Sequence, residues 1–402
     1  MTIPRRTIHV QDGALHELLS AAVESPGGQT ALVAAFEDAF TRHAGTGFAV
    51  PVGAGRLGLR PLLKGLGIRA GSQVIVPAFT DESVPEAVRA AGATPIFVDV
   101  ERDTMNLDPA AVARALTPQT RAILATHIFG NPCDLGALLA IADGHGAYLL
   151  EDCAHAIDAR WQGALCGTIG HAAIFSFVVT KAVNTFGGGL VLTRDGELAG
   201  YVRSAVASLP QPKFAALARR VMAGYALAGL TSEPVFGRLG GPALRLIDRF
   251  GGDALRLYNR VARPATVNAD VDTAFSPIQA AVGLPQMRRL LATQTLRRHA
   301  AEALCAAMPS ALTPQRVLPG AEHAWYFLVA TAADPDRVAR TLLKRGLDVG
   351  RHPMRNVARL SGHPASAFPG AEFLEAHAIQ IPIHPELDPA SLRQAAEALR
   401  AL

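Results

Sequence analysis

The chain has 402 residues, half of them apolar and 18% charged, with a net charge of +4. That composition belongs to a well-packed globular protein and excludes a disordered one; the length favours two or three domains. Arg5 and Arg6 precede no apolar h-region, and the longest apolar run, Val221–Leu230, is far short of the roughly 20 residues of a spanning helix, so a cytoplasmic protein is expected.

In chain order, short β-branched runs alternate with helical stretches from Phe48 to Thr193. Strands are expected at Gln73–Pro77, Pro95–Val100, Ala122–Phe129, Ala147–Cys153, Ala172–Phe177 and Gly189–Thr193. Amphipathic stretches fall between them, among them Leu57–Leu66, Val84–Ala91 and Pro109–Leu116. Such alternation argues for an α/β fold with a mostly parallel central sheet and helices on both faces. The segment Tyr201–Pro264 breaks the pattern, with short helices at Lys213–Leu227 and Ala243–Phe250 and Gly-Pro and Gly-Gly punctuation between them. It holds ten basic residues against three acidic ones, which accounts for the sign of the net charge. A long helical stretch follows from Ser276 to about Met308, including the arginine-rich Met287–Arg298. A strand at Trp325–Ala330, a helix at Asp336–Arg345 and a terminal helix from Asp388 then read as a smaller α+β domain.

Three features carry chemistry. The buried strand ending in Glu151-Asp152 places a carboxylate at the C-terminal edge of a parallel sheet, where α/β proteins bind ligands; a helix cap is the plainer reading of such a residue alone. Lys181 follows the apolar run Phe175-Ser-Phe-Val-Val-Thr and precedes Gly187-Gly-Gly, a position where desolvation favours a nucleophilic amine; a snorkelling lysine is the alternative. Only four lysines exist (Lys64, Lys181, Lys213 and Lys344), so lysine-based covalent chemistry has few choices. Gly55-Arg-Leu opens a helix whose N–H groups and dipole suit a phosphate, although a plain turn fits equally well. Cys133, Cys153, Cys166 and Cys305 lack CxxC spacing and the histidines lack HExxH spacing, so no metal is expected. Without a helix-turn-helix or RNA-binding signature, nucleic acid is not expected as a partner.

Taken together, these residues and a series of ordered blocks resemble the DegT–StrS sugar aminotransferases, a branch of the fold-type-I pyridoxal-phosphate enzymes. The blocks are Phe36-Glu-Asp-Ala-Phe, Gly67-Ile, Val74-Ile-Val-Pro-Ala, Ala91-Gly-Ala-Thr-Pro-Ile-Phe-Val-Asp-Val, His127-Ile-Phe-Gly-Asn-Pro, Glu151-Asp-Cys-Ala-His-Ala, Phe175-Ser-Phe-Val-Val-Thr-Lys and Pro382-Ile-His-Pro-Glu-Leu. The resemblance implies pyridoxal 5'-phosphate held as a Schiff base on Lys181, which also shuttles the proton. Asp152 would pair with the pyridinium nitrogen, and His155 stands where the family usually has Gln, near the cofactor's hydroxyl. Ser176 and the backbone at Gly55, Arg56 and Leu57 would contact the phosphate. It further implies a large cofactor-binding domain over 1–275, a smaller domain over 276–402 and a homodimer with shared active sites. The substrates implied are an amino donor, glutamate or glutamine, and a ketone or aldehyde acceptor, most often a nucleotide-linked keto-sugar.

Several positions depart from the family pattern. The ring-stacking aromatic is Asp81 here, with Phe79 as a substitute. The threonine of the phosphate loop is Arg56, and the residue reaching across from a partner subunit is Ala274. Arg56 is expected either to replace that lost phosphate contact or to face solvent. The basic segment at about 205–264 is an insertion relative to the family. It reads as an oligomer interface or lid, or as a surface for an amphiphilic, lipid-linked or diphosphate-bearing acceptor in contact with an anionic or membrane surface. A cyclitol acceptor, and a non-catalytic cofactor-binding regulator or scaffold, are the alternative readings.

Overall fold

The computed structural model describes residues 2–8, 10, 13–249, 272–385 and 387–402, so residues 250–264 of the basic insertion lie outside the described residues. Seven strands form the main sheet: β1 (Phe48–Val52), β2 (Gln73–Pro77), β3 (Thr94–Val98), β4 (Thr120–Thr126), β5 (Tyr148–Asp152), β6 (Ala172–Ser176) and β7 (Gly189–Thr193). Their order is β1-β7-β6-β5-β4-β2-β3, parallel except where β7 runs antiparallel between β1 and β6. The mostly parallel sheet read from the sequence is therefore present, with an antiparallel pair at one edge.

Alternation along each strand divides the core in two. On one face Leu150, Ile174 and Val191 pack with α3 (Gly55–Gly65), α4 (Ser83–Ala90) and α7 (Gly196–Ala207). On the other, Leu149, Phe175 and Leu190 pack with Phe36 and Phe40 of the helix Pro26–Ala44, and with the helix Leu135–His145. The same alternation sends Glu151 and Asp152 to opposite faces. Glu151 turns into the packed interior and is fully buried. Its carboxylate accepts N–H bonds from Gly167 (2.6 Å), Ile169 (2.9 Å) and Gly170 (2.6 Å), and lies 3.0 Å from His127 Nε2. His127 Nδ1 accepts from the Cys133 amide at 3.1 Å, so its Nε2 carries the proton that reaches Glu151. One carboxylate thus ties β5, the turn that leads into β6 and the loop after β4.

A second, four-stranded antiparallel sheet comprises β8 (Leu312–Pro314), β9 (Leu328–Ala332), β10 (Gly350–Arg351) and β11 (Ala378–Ile381), in the order β8-β9-β11-β10. It packs with the helices Pro335–Lys344 and Pro389–Arg400, forming the smaller α+β unit. The first residues of the chain join this unit: Ile3 packs in its core, and Arg5 makes a buried ion pair with Asp348 at 2.7 Å. The long helix Pro277–Ala306 runs between the two cores, with Ala280 and Leu290 in one and Ala301 and Leu304 in the other. It starts with a capping box in which Ser276 and Gln279 each accept the other's backbone N–H, at 3.2 and 3.0 Å.

The insertion forms α8 (Phe214–Thr231) and α9 (Gly241–Arg249), joined by a short helical connection. They dock on the smaller unit through Glu233, which accepts from Ser391 Oγ at 2.6 Å and lies 3.4 Å from His384, and through Arg245, which donates to Thr2 at 2.6 Å. Seven of the large apolar side chains left exposed lie in or near these helices (Tyr201, Phe214, Met222, Leu230, Val235, Leu239 and Leu246). Among the described residues no helix is long and apolar enough to cross a membrane.

Replacing Glu151 by alanine strands three buried amides and a histidine; about 3–5 kcal/mol of stability should be lost. Urea denaturation measures this, and a loss below about 1 kcal/mol would rule out the carboxylate as the tie.

Candidate functional site

The segments after β5 and β6 and the end of β6 bring three of the candidate residues, His155, Ser176 and Lys181, to one cleft. Its walls include Cys153, Ala154, His155, Ser176, Lys181 and Tyr326. Asp152 ends β5 almost completely buried, and its Oδ1 accepts the Ala154 amide at 3.0 Å. Burial pushes its pKa up, while that hydrogen bond and the positive charge of Lys181 work against the shift. The result is a buried acid that gains from a cationic partner.

Lys181 sits in a tight turn whose amide bonds Val178 O at 2.8 Å. Its ammonium lies over the ring of Tyr326, 4.5 Å from the centroid. The Tyr326 hydroxyl donates to Thr180 Oγ1 at 3.1 Å, so the ring is fixed at both ends. The loop is pinned from the long helix Pro277–Ala306: Gln286 accepts the Asn184 amide (2.8 Å) and donates to Asn184 O (2.7 Å). Gln279 adds a donation to Thr185 O at 3.5 Å. These glutamines escaped sequence reading because their partners are about a hundred residues away.

His155 stacks on Tyr326 at 4.3 Å between ring centroids, and the Phe129 ring lies nearly parallel to it at 6.2 Å. Its Nδ1 accepts the Phe129 amide at 3.2 Å, which leaves Nε2–H as the donor of a neutral ring. Burial, then the charges of Lys181 and Arg6, hold its pKa well below the usual histidine value. A neutral imidazole offering N–H suits an oxygen such as the hydroxyl expected there. Phe129 and Trp325, which flank this stack, both have positive φ (59° and 50°), a conformation that costs a non-glycine residue about 1–3 kcal/mol.

The helix start lies beside Ser176. A Cβ on Gly55 would come within 2.8 Å of Phe175 O and 3.3 Å of Ser176 Cβ, so position 55 requires glycine. Most other long helices in the chain are capped by Asp or Ser side chains, but Ala54 offers the first turn of α3 no side-chain acceptor. A helix start of this kind suits an anion. The Leu57 amide bonds Ala54 O at 2.9 Å, so it is engaged within the turn. Asp81 lies outside the stack: it is exposed and accepts from Ser83 N (2.9 Å) and Ser83 Oγ (2.5 Å) at the start of α4. Phe79 is buried, edge-on to Phe129, in the core. Ala274 is buried, and its amide donates to Pro210 O at 2.9 Å.

Lys181, Asp152, His155, Ser176 and the start of α3 thus fit pyridoxal phosphate: an amine, a buried acid, an N–H donor and an anion seat at one sheet edge. Among the described residues one grouping, His127, Glu151 and Cys153, is close enough to hold a metal ion. Its donors are already engaged, since Glu151 and His127 bond each other and the backbone, and burial pushes the Cys153 thiol well up.

The sequence profile of the DegT/DnrJ/EryC1/StrS aminotransferase family matches residues 14–217 and 255–400, and the gap between the two matches falls inside the insertion. The chain is 44% identical over 169 residues to dTDP-3-amino-3,4,6-trideoxy-alpha-D-glucose transaminase of Streptomyces venezuelae, a match covering 42% of this chain and 45% of that one. It is 40% identical over 164 residues to L-glutamine:2-deoxy-scyllo-inosose aminotransferase of Streptomyces paromomycinus, covering 41% and 39%. These alignments span less than half the length of the curated relatives. The crystal structure of S. venezuelae DesV in complex with ketimine intermediate superimposes with a TM-score of 0.75 at 25% identity, covering 98% of both chains.

His323 supports the turn into Tyr326: it is buried, and its Nδ1 accepts the Trp325 amide at 2.7 Å. Burial lowers its pKa to about 3. Its contribution to stability is therefore complete above the unfolded value near 6.5 and is lost as pH falls toward the folded one. Between pH 6 and pH 4 it should remove up to about 1.4 kcal/mol per pH unit. Urea midpoints across this range should fall less steeply for His323→Gln; equal slopes would refute the assignment.

Proposed function

Because the chain belongs to the DegT/DnrJ/EryC1/StrS aminotransferase family, we propose that it is a pyridoxal-phosphate-dependent aminotransferase acting between an amino acid and a ketone or aldehyde. What supports this reading is a cleft lined by Lys181, His155 and Ser176, with the start of α3 beside Ser176 and the buried Asp152, which feels the charge of Lys181, at the end of β5. When bound, pyridoxal phosphate would supply an electron sink for cleavage at the amino-bearing carbon. Lys181 is placed to hold and move the proton there, and the Tyr326 face under its ammonium orients it. Asp152 would keep a negative charge against the ring nitrogen, His155 would offer Nε2–H to the ring oxygen, and Ser176 with the backbone at Gly55 and Arg56 would hold the phosphate. Glutamate or glutamine is the donor we favour, and a nucleotide-linked keto-sugar the acceptor, in keeping with the sugar and cyclitol transaminases among the relatives. A homodimer with active sites at its interface belongs to the same reading.

An amphiphilic acceptor, or contact with an anionic surface, is the second reading. It is favoured by the exposed apolar side chains of α8 and α9, with Lys213, Arg219 and Arg238 exposed among them. Co-sedimentation with anionic liposomes at low salt tests it, and no binding would discard it.

The central test loads the cofactor with amine and screens keto-sugars, cyclitols and apolar ketones for return of the imine absorbance. Glutamate or glutamine should discharge that band in the wild type and leave Lys181→Ala without turnover. A protein that never takes up the cofactor would overturn the reading. Asp152→Asn separates function from stability. Without ligand, the variant should be at least as stable as wild type at pH 7, since a buried charge is removed. Its affinity for pyridoxal phosphate should fall about 10- to 100-fold, the value of about 1.5–3 kcal/mol for a hydrogen bond to a charged group. Urea denaturation and absorbance titration read the two effects.

A further inference from the structure

The long helix Pro277–Ala306 places Gln294 and Arg297 three residues apart on one face, both turned into the cleft that contains Lys181, His155 and Ser176. Gln294 is 5% exposed and Arg297 9% exposed. Neither meets its hydrogen-bonding capacity within the protein. Arg297 donates from one Nη to Tyr326 O at 3.3 Å, but its Nε has no acceptor, and Gln294 Oε1 has no partner. Among the described residues no carboxylate pairs with Arg297, whereas the next residue, Arg298, lies 3.4 Å from Glu322. Burial lowers the pKa of Arg297 only to about 10, so the guanidinium stays charged at neutral pH. A buried, unpaired charge carries a large desolvation penalty, and proteins ordinarily place a counter-ion beside it. Here that place faces the reacting lysine.

We propose that Arg297 and Gln294 form a carboxylate seat that receives the carboxylate of the amino donor. This rests on the aminotransferase reading above and adds to it the recognition of one of the two substrates. The planar guanidinium offers its Nε edge to a carboxylate, since the other side is committed to Tyr326 O. The amide of Gln294, free to present either its oxygen or its nitrogen by rotation, adds an N–H to the same anion. A phosphate has a seat of its own in the same cleft, at Ser176 and the uncapped start of α3. Every amino-acid donor brings a carboxylate, and a keto-sugar brings none, so the seat distinguishes the two half-reactions.

The two half-reactions of the cofactor-loaded enzyme are followed separately by absorbance. Arg297→Gln should raise the half-saturating donor concentration about 10- to 100-fold, the factor for one charge-assisted hydrogen bond. Half-saturation by the acceptor should not change, and Arg297→Lys should recover part of the loss. A purely structural arginine would shift both half-reactions together, and that outcome overturns the proposal. A second readout needs no turnover. Glutarate should raise the melting temperature of the wild-type protein in proportion to occupancy, inorganic phosphate at equal concentration should do so less, and Arg297→Gln should abolish the glutarate response. If Arg297→Gln does not fold, Gln294→Leu should still weaken the glutarate response. An undiminished response in a folded variant, or an equal response to phosphate that Arg297→Gln removes, overturns the assignment to carboxylate. If the wild type shows the glutarate response but exchanges amine with no amino acid, the aminotransferase reading fails while the seat stands.

Discussion

The fold depends on one buried carboxylate. Glu151 gathers three backbone amides from the turn that leads into β6 and the imidazole of His127 from the loop after β4, in a region from which water is excluded. That holds the end of β5 in register with its neighbours. Because side chains alternate along a strand, anchoring Glu151 on one face delivers Asp152 to the other, within reach of the charge of Lys181. Two adjacent acids thus have unlike roles: one is saturated and structural, the other is left in need of a cation.

Lys181 is positioned with comparable economy. Its loop has no regular ladder of its own, and the backbone of Asn184 is instead bonded to Gln286 on a helix that begins almost a hundred residues later. Tyr326, two residues before β9 and packed in the core of the main sheet, lies under the ammonium. The cleft is therefore lined both by the loops of the main sheet and by the segment that leads into β9. The insertion docks on the N-terminal segment and the terminal helix, through Arg245 and Glu233, and also on the Lys181 loop itself, where Val221 of α8 packs with Phe186.

Much of this was legible in the sequence, and the differences have local causes. Gln73–Pro77 and Gly189–Thr193 are strands with the ends expected from their β-branched runs. The run Ala122–Phe129 stops as a strand at Thr126, because Ile128–Gly130 folds into a single tight turn with Phe129 at positive φ. Likewise the strand expected from Trp325 begins at Leu328, since Trp325 takes positive φ and gives its amide to His323. The order of motifs was enough to identify Lys181, Asp152, His155 and Ser176 as candidates. It could not show Tyr326, Arg297 or the glutamine clamps. Periodicity tells which face of an element is buried, but it carries no information about which distant element that face meets. Asp81 illustrates the same limit: its place in the motif marks it as a neighbour of the site, yet its carboxylate is taken by Ser83 two residues on.

The stack around Tyr326 has an optical consequence. The chain has only two tryptophans. One, Trp325, is adjacent to the tyrosine that covers Lys181 and lies 4.0 Å, ring to ring, from the His323 imidazole, a quencher when protonated. The other, Trp161, belongs to a separate small sheet. One of the two indoles therefore lies beside the tyrosine that covers Lys181, which makes the fold its own reporter of what occupies the cleft.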